Sequence, residues 1–155
     1  MKRLLIMSDT HGRKDTVKRI ILSNKDVDVI IHLGDGVSDI NDEGLDKKLI
    51  LVKGNCDIRS DVPTERTVTI GNTRILLTHG HRYHVKFSMD RLIYRAMEEE
   101  VSAAFYGHTH VPCETFESGI ILFNPGSLCR PLNGQASYSI ATVDNGRIFI
   151  KTILI

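Results

Sequence analysis

Seven side chains of types that bind transition metals stand in short polar loops, each directly after an apolar run of the chain. They are two carboxylates, one amide and four imidazoles: Asp9, His11, Asp35, Asn55, His79, His108 and His110. Oxygen and nitrogen ligands without a thiolate favour Mn, Fe, Zn, Co or Ni over a structural zinc site. Seven ligands are too many for one tetrahedral ion with an open position, so the pattern predicts two divalent ions that share a carboxylate.

Two such ions can generate a hydroxide that bridges them and can stabilise both oxygens of an in-line displacement at phosphorus. Two dications, two carboxylates and one hydroxide sum to a charge of about +1, which attracts an anionic ester without holding it irreversibly. A single Asp-x-His or Gly-Asp loop is weak support, because such loops are common as solvated turns. The Gly107-His108-Thr109-His110 motif is rarer, and the ordered set of loops predicts a metal-dependent phosphoesterase.

The apolar runs of the first half alternate with a helical pattern. We expect strands at residues 3–7, 28–32 and 49–52, and a helix at residues 14–23. This alternation predicts a parallel α/β sheet. The carboxyl ends of its strands meet at one edge, where ligands bind in α/β proteins.

The second half reads as more strands and one helix. Two hairpin signatures, Gly71-Asn72 and Asp144-Asn145-Gly146, each separate two apolar runs. We assign all strands of this half to a second, mixed sheet, at residues 66–70, 73–78, 103–106, 112–116, 120–123, 137–143 and 147–154. A helix is expected at residues 83–99, with an apolar face of Phe87, Leu92, Ile93 and Met97. We predict a single domain over residues 1–155, with two packed sheets and helices outside.

Composition limits the classes of partner. Twenty Lys and Arg balance 19 Asp and Glu, and no basic run indicates nucleic acid. The apolar start at residues 4–7 is too short for a secretory segment, and no run approaches the ~20 residues of a membrane span. We therefore expect a cytoplasmic protein without a membrane partner. Cys56, Cys113 and Cys129 form no CxxC pair, which predicts reduced thiols.

The motifs resemble those of a known family. Asp9-Thr10-His11, Gly34-Asp35, Gly54-Asn55, His79 and Gly107-His108-Thr109-His110 are similar to the ordered motifs of the calcineurin-like metallophosphoesterases. The chain resembles one branch of this family more closely still, the small single-domain phosphodiesterases found in bacteria and archaea. The segments that carry this second resemblance are Ser8-Asp9-Thr10-His11-Gly12, Gly54-Asn55-Cys56-Asp57, Thr78-His79-Gly80-His81 and Asn124-Pro125-Gly126-Ser127.

The resemblance implies a four-layer α/β/β/α sandwich of two mixed sheets flanked by helices. It also implies two divalent ions, commonly Mn²⁺ or Ni²⁺, and no covalent enzyme intermediate. Asp35 would bridge the ions. The first ion would be bound by Asp9, His11 and His110, and the second by Asn55, His79 and His108.

The residue after Asn55 departs from the wider family. Many members carry a histidine there that can protonate the leaving group, but this chain has Cys56. A neutral thiol is a poor general acid near neutral pH. The leaving group would then depend on metal, water or His81, which disfavours alkyl monoesters. We predict catalytic roles for Asp35, Asn55 and His81.

Some residues keep two interpretations. Cys56 and Asp57 are predicted to contact substrate, although Asp57 could instead cap a turn. His81 could face substrate or be structural. The segment Asn124-Pro125-Gly126-Ser127 could form the site rim or a tight turn. His32, inside an apolar run, is interpreted as a buried imidazole with satisfied hydrogen bonds.

Other functions remain to be weighed against phosphodiester hydrolysis. A eukaryotic retromer subunit resembles the same family, has a degenerate metal site and acts by binding partners, so a scaffold is one alternative. The intact ligand set favours catalysis. A phosphomonoesterase or a nuclease is another alternative, and Arg13 and Arg59 lie near the motif loops. An exposed part of the helix face could serve a homo-oligomer.

Overall fold

The computed structural model describes residues 1–41, 45–132 and 134–155. Within these ranges the chain forms two helices longer than one turn, α1 (Lys14–Ser23) and α2 (Asp90–Glu98). Its strands are β1 (Lys2–Met7), β2 (Val29–His32), β3 (Lys48–Leu51), β4 (Glu65–Ile70), β5 (Thr73–Thr78), β6 (Ala103–Phe105), β7 (Pro112–Glu117), β8 (Ile120–Pro125), β9 (Ser137–Asp144) and β10 (Arg147–Leu154).

The first sheet has the order β10-β9-β1-β2-β3. Strands β1, β2 and β3 are parallel, as the alternating pattern predicted, and β1 and β2 are apolar on both faces because both faces are covered. The assignment of β9 and β10 to the second sheet was wrong, since β9 pairs antiparallel with β1. A hairpin signature predicts that two strands pair with each other, but not which sheet edge they join.

The second sheet has the order β4-β5-β6-β8-β7. Strands β5, β6 and β8 are parallel, and the flanking strands β4 and β7 are antiparallel to their neighbours. The sheet is therefore mixed, as predicted. Because β5 and β6 run in the same direction, the loops that follow these two strands lie side by side at one end of the sheet.

The two sheets pack face to face, and each carries one helix on its outer face. Leu4 and Ile6 of β1 belong to the core between the sheets, together with Phe105 and Phe123 of the second sheet. The alternate residues of β1 face α1, whose Val17 and Ile20 are buried. On the other side, α2 buries three residues against the second sheet: Leu92, Ile93 and Ala96. This arrangement is the predicted four-layer α/β/β/α sandwich.

Helix α2 is shorter than the predicted helix at residues 83–99. A 3-10 turn at His81–Tyr83 ends at His84, whose φ of 54° is left-handed and cannot continue a right-handed helix. Phe87 thus lies before the helix and is 90% exposed, and Met97 is also exposed. Of the predicted apolar face, only Leu92 and Ile93 are buried. Neither helix of the described residues has the length and apolar character to cross a bilayer.

Candidate metal centre

The loops that follow β1, β2, β5 and β6 bring six of the seven predicted ligands into one cluster. His110 Nε2 lies 3.0 Å from Asp9 Oδ1. His11 Nε2 lies 3.8 Å from both Asp9 Oδ1 and Asp35 Oδ2. His79 Nε2 lies 3.4 Å from Asp35 Oδ2 and 3.8 Å from Asp9 Oδ1. The two carboxylates therefore stand between the imidazoles.

The cluster divides into two groups of potential ligand atoms. One atom each of Asp9, His11 and His110 lie within 4.8 Å of one another, and the same holds for Asp35, His79 and His108. A third group joins His11 and Asp35 to Cys56. The first two groups match the two ligand sets that the resemblance implied, except for Asn55, and Asp35 connects them.

Several polar atoms in the cluster are buried without a hydrogen-bond partner among the described residues: Asp9 Oδ1, His11 Nε2 and His79 Nε2. Each such atom costs about 1–3 kcal/mol when it stays unsatisfied. The three atoms point at one another and are all electron-pair donors, so divalent cations would satisfy them. The residues present therefore fit a metal centre.

Two histidines are oriented through their other ring nitrogen. His79 Nδ1 donates a hydrogen bond to Leu33 O at 2.7 Å, and His110 Nδ1 donates to Arg130 O at 2.8 Å. A backbone carbonyl that accepts from Nδ1 fixes the tautomer, and the lone pair of Nε2 then faces the carboxylates. This is the arrangement that metal-binding imidazoles adopt in proteins.

Each carboxylate is held through one oxygen and offers the other. Asp9 Oδ2 accepts from Ser8 Oγ at 2.6 Å and from the His108 backbone amide at 3.0 Å, while Oδ1 faces the imidazoles. Asp35 Oδ1 accepts from the Cys56 amide at 2.8 Å, while Oδ2 faces His79. The orientation of both ligands is thus set before any ion binds.

The carboxylates and imidazoles of the cluster shift one another's pKa values. Burial opposes the charged form of His79, but Asp35 and Asp9 outweigh it and raise its pKa, and Asp9 raises the pKa of His110. Burial alone would raise the pKa of Asp35, but His79, whose Nε2 lies 3.4 Å from Asp35 Oδ2, holds that pKa well below its usual range. Burial would also raise the pKa of Asp9, but His110, whose Nε2 lies 3.0 Å from Asp9 Oδ1, and His79 outweigh burial and lower this pKa. Burial lowers the pKa of His108 to about 4, and the charge of His79 adds to this. At neutral pH the carboxylates are ionised and His108 is a neutral imidazole.

Five of the predicted ligands have left-handed backbone conformations. The φ angles are 53° at Asp9, 39° at His11, 57° at Asp35, 69° at His108 and 59° at His110. Such a conformation costs a residue with a Cβ about 1–3 kcal/mol and persists where the surroundings impose it. Strained residues of this kind concentrate at functional sites, so the backbone independently points to the same cluster.

Two glycines allow the loops to approach each other. A Cβ at Gly54 would overlap Asp35 Oδ1, and a Cβ at Gly107 would overlap Ser8 Oγ. Only glycine lets the backbone come this close. The glycines that precede Asn55 and His108 are therefore required by the packing of the cluster itself.

Asn55, the seventh predicted ligand, is exposed on the loop after β3. Its Nδ2 donates to Cys56 Sγ at 3.5 Å. No hydrogen bond of the described residues joins its side chain to the cluster. The hydrogen bond from the Cys56 amide to Asp35 nevertheless holds this loop beside the centre.

Asp57 accepts four hydrogen bonds from backbone amides. Oδ2 accepts from Asp35 at 2.7 Å and Gly54 at 2.8 Å, and Oδ1 accepts from Gly36 at 2.9 Å and Val37 at 3.2 Å. This is the geometry of the turn cap that was the alternative interpretation. It joins the loop that carries Asp35 to the loop that carries Asn55, and contact with substrate stays a prediction.

Cys56 and His81 border the cluster. Burial and the Asp35 hydrogen bond raise the pKa of the Cys56 thiol to about 11, so the thiol stays protonated at neutral pH. The His81 ring lies 5.4 Å from the His79 ring and 6.1 Å from the His108 ring, between centroids. Its Nδ1 is buried and without a hydrogen-bond partner in the described part of the chain. Burial and the charge of His79 lower the pKa of His81.

Sequence reasoning missed a buried network beneath the cluster. Thr10 Oγ1 donates to Asp39 Oδ2 at 2.6 Å and lies 3.1 Å from His32 Nε2. The Gly12 amide also donates to Asp39, and the Gly34 amide donates to His32 Nδ1. The interpretation of His32 as a buried, hydrogen-bonded imidazole is confirmed. Asp39 follows Asp35 by four residues, but nothing in the sequence separated it from an acid in a solvated turn.

The segment at residues 124–127 supports the loops of the centre. Asn124 Nδ2 donates to Gly107 O at 2.8 Å and to Thr109 Oγ1 at 3.0 Å. Ser127 Oγ donates to Asp9 O at 2.8 Å. Asn124 and Ser127 are fully buried, so they position the loops after β6 and β1 from beneath.

Comparison with known proteins assigns the chain that forms this cluster to a protein family. The model of the calcineurin-like phosphoesterase superfamily domain matches residues 1–146. The chain belongs to this superfamily. Its members are metallophosphoesterases that use divalent metal ions, so the enzyme class is phosphoric ester hydrolase and the metal-capable cluster fits it.

Individual relatives of this superfamily cover nearly the whole chain. The probable metallophosphoesterase YsnB of Bacillus subtilis is 34% identical, over 96% of this chain and 88% of YsnB. Phosphodiesterase YfcE of Escherichia coli is 29% identical, over 93% of this chain and 89% of YfcE. The structure of a predicted phosphoesterase from Streptococcus pneumoniae is 31% identical with a TM-score of 0.86, over 99% of this chain and 89% of that one.

The same fold also occurs in proteins named for another role. Vps29 of Entamoeba histolytica superposes with a TM-score of 0.79 at 20% identity, over 99% of both chains. At this identity the likeness concerns the fold alone. Fold by itself therefore does not separate a hydrolase from a scaffold, and the ligand set has to do so.

Proposed function

We propose that this protein is a phosphodiesterase whose centre binds two divalent metal ions, Mn²⁺ or Ni²⁺ in preference to Fe, Zn or Co. The observation that carries the proposal is the pair of three-residue ligand groups joined by Asp35. The buried atoms Asp9 Oδ1, His11 Nε2 and His79 Nε2, which lack protein partners in the described chain, support it.

Each predicted ligand has a place in this proposal. Asp9, His11 and His110 would hold one ion; Asn55, His79 and His108 would hold the other; and Asp35 would lie between them. When bound, the ions would supply a hydroxide nucleophile and neutralise charge on the phosphate oxygens. Asp35 Oδ2 lies 3.8 Å from His11 Nε2 of the first group and 3.4 Å from His79 Nε2 of the second, while Asp35 Oδ1 accepts a hydrogen bond from the Cys56 amide.

The protein groups nearest the leaving group favour diesters with good leaving groups. The thiol of Cys56 retains its proton at neutral pH because its pKa is about 11, so Cys56 is an inefficient general acid. The His81 ring contacts the rings of His79 and His108, and its Nδ1 has no hydrogen-bond partner among the described residues. We therefore assign to His81 a hydrogen bond with a phosphate or leaving-group oxygen of the substrate. The named activity of YfcE agrees with a diester substrate.

The test is replacement of the shared carboxylate. Asp35→Ala should abolish Mn²⁺-dependent hydrolysis of bis(p-nitrophenyl) phosphate, because the carboxylate that lies between the two ligand groups is lost. Asp46→Ala removes a carboxylate that is 86% exposed and should leave hydrolysis unchanged. Circular dichroism checks that both variants fold. Full activity in a folded Asp35→Ala protein would refute the proposal.

Two other functions are tested by the same preparations. A phosphomonoesterase would hydrolyse p-nitrophenyl phosphate with a larger kcat/KM than the diester. A protein-binding scaffold, suggested by the fold shared with Vps29, would take up no metal and hydrolyse neither ester. A panel of diesters and monoesters with Mn²⁺, Ni²⁺, Mg²⁺ and Zn²⁺ separates these outcomes.

A further inference from the structure

A cavity of about 620 Å³ lies next to the candidate metal centre. Most of its wall comes from the loop between β3 and β4, and the remainder comes from the end of β3 and the loop after β2. Its apolar lining consists of Val37, Leu51, Ile58 and Val62, and Arg59 also lines it. The volume falls in the range of small-molecule sites, which is about 300–1,000 Å³.

Cys56 connects this cavity to the metal centre. Its side chain lines the cavity, and its Sγ lies within 4.8 Å of ligand atoms of His11 and Asp35. A phosphorus atom held between the two ligand groups would therefore have one side open toward Cys56. An ester substituent on that side would extend over Cys56 into the cavity.

The chemistry of the wall selects the kind of substituent. Ile58 is 85% exposed and lines the cavity, so a ring held there would remove part of its apolar surface from water. Arg59 beside it is also exposed, and a guanidinium group can stack on the face of an aromatic ring. An apolar wall with one stacking cation suits a flat aromatic group attached to a phosphate.

The wall is formed before any ligand arrives, because the loop is tied by its own hydrogen bonds. The Ser60 amide donates to Asp57 O at 3.1 Å, and the Val62 amide donates to Ser60 Oγ at 3.2 Å. Lys53 Nζ donates to Ser60 O at 2.9 Å. A preformed wall avoids the entropy loss of ordering a loop on binding.

We propose that this cavity binds an aromatic ester group of the substrate, either an aryl group or a nucleoside. The inference rests on the proposed phosphodiesterase function and adds a specificity determinant to it. Ile58 and Arg59 contact the ring, and the ring is joined through the phosphate to the metal centre.

The test compares ligands that differ only in the ring. Binding to the Mn²⁺-loaded protein is measured by calorimetry for phenylphosphonate and methylphosphonate, neither of which can be hydrolysed. Phenylphosphonate should bind about tenfold more tightly, as expected for partial burial of a ring. Adenosine 5′-monophosphate and ribose 5-phosphate form a second pair, and a preference confined to this pair identifies a nucleoside as the group.

Variants locate the effect in the cavity. Ile58→Ser should reduce the preference for the ring several-fold and leave the affinity for methylphosphonate unchanged. Phe116→Ser removes another exposed apolar side chain, which is 73% exposed on β7, and should change neither affinity. If active enzyme binds all four ligands equally, or if Ile58→Ser weakens all four alike, the inference is wrong. If Mn²⁺ does not bind and no ester is hydrolysed, the proposed function fails and this inference fails with it.

Discussion

Asp57 illustrates how single residues that do not face the ligand cluster control it. The motif context suggested contact with substrate, but both of its oxygens are occupied by backbone amides. These bonds hold the loop that carries Asp35 in its left-handed conformation. Removal of residues that orient metal ligands in this way typically weakens metal affinity by about 10–100-fold.

Asp57→Ala should therefore destabilise the protein and weaken the metal centre. Loss of a half-buried acceptor of four amides should lower the free energy of unfolding by about 1–3 kcal/mol. The metal affinity should fall about 10–100-fold. Urea unfolding and Mn²⁺ titration measure the two effects, with exposed Asp61→Ala as the matched control. A stable variant with only a higher KM would instead favour substrate contact by Asp57.

His81 has a second testable consequence at this scale. If it contacts the leaving-group oxygen, His81→Ala should lower kcat by about 10²-fold for a diester with an alkyl leaving group. The loss should be smaller for a p-nitrophenolate leaving group, which departs without a proton. Metal content, measured by elemental analysis, should stay unchanged. Equal losses for both esters, or loss of metal, would contradict this role.

At the scale of elements, the network of His32, Thr10 and Asp39 joins the loop after β1 to the loop after β2. Both loops carry predicted ligands on their upper side, and the network lies beneath them. His32 is fully buried at the end of β2, and burial lowers its pKa from 6.5 to about 4, against the opposing charges of Asp57, Asp9 and Asp39. The two loops thus depend on a histidine that must stay neutral.

This predicts a pH dependence of stability. Between pH 6.5 and 4 the unfolded chain protonates His32 and the folded chain does not. The free energy of unfolding is therefore highest above pH 6.5. It falls by up to about 3 kcal/mol as the pH is lowered from 6.5 to 4, because protons bind His32 of the unfolded chain first. Urea unfolding of metal-free protein at pH 7 and pH 4.5 measures it. His32→Asn, which keeps an acceptor for the Gly34 amide, should lose less stability, and a parallel loss in both proteins would disprove the prediction.

Sequence reasoning predicted the elements that end in ligand loops, because each is a short apolar run that stops at a polar, glycine-containing segment. It misplaced the β9–β10 hairpin, since the pairing of β9 with β1 is a long-range contact with no local signature. It also extended α2 through residues 83–89, because an apolar pattern does not reveal the left-handed His84. Thr10 and Asp39 were missed for a related reason: burial of a polar side chain depends on tertiary packing.

At the scale of the whole molecule, the proposed binding of metal by side chains from five loops would make the stability of the fold sensitive to metal. Saturating Mn²⁺ or Ni²⁺ should raise Tm, since an ion at 100 times its Kd stabilises the folded state by about 2.7 kcal/mol. Differential scanning calorimetry of EDTA-treated and reloaded protein measures the shift. Asp35→Ala should show a much smaller shift than Asp46→Ala. An unchanged Tm, together with purified protein that holds no metal, would favour the scaffold alternative.

The antiparallel pair of β1 and β9 has a consequence for synthesis of the protein on the ribosome. Strand β1 (Lys2–Met7) is synthesised long before β9 (Ser137–Asp144), the neighbour that covers its outer edge. Until β9 leaves the exit tunnel, the growing polypeptide exposes an apolar strand with unpaired backbone amides, which invites aggregation. Chains released early, before residue 137, would lack this protection, and cellular quality control should remove them.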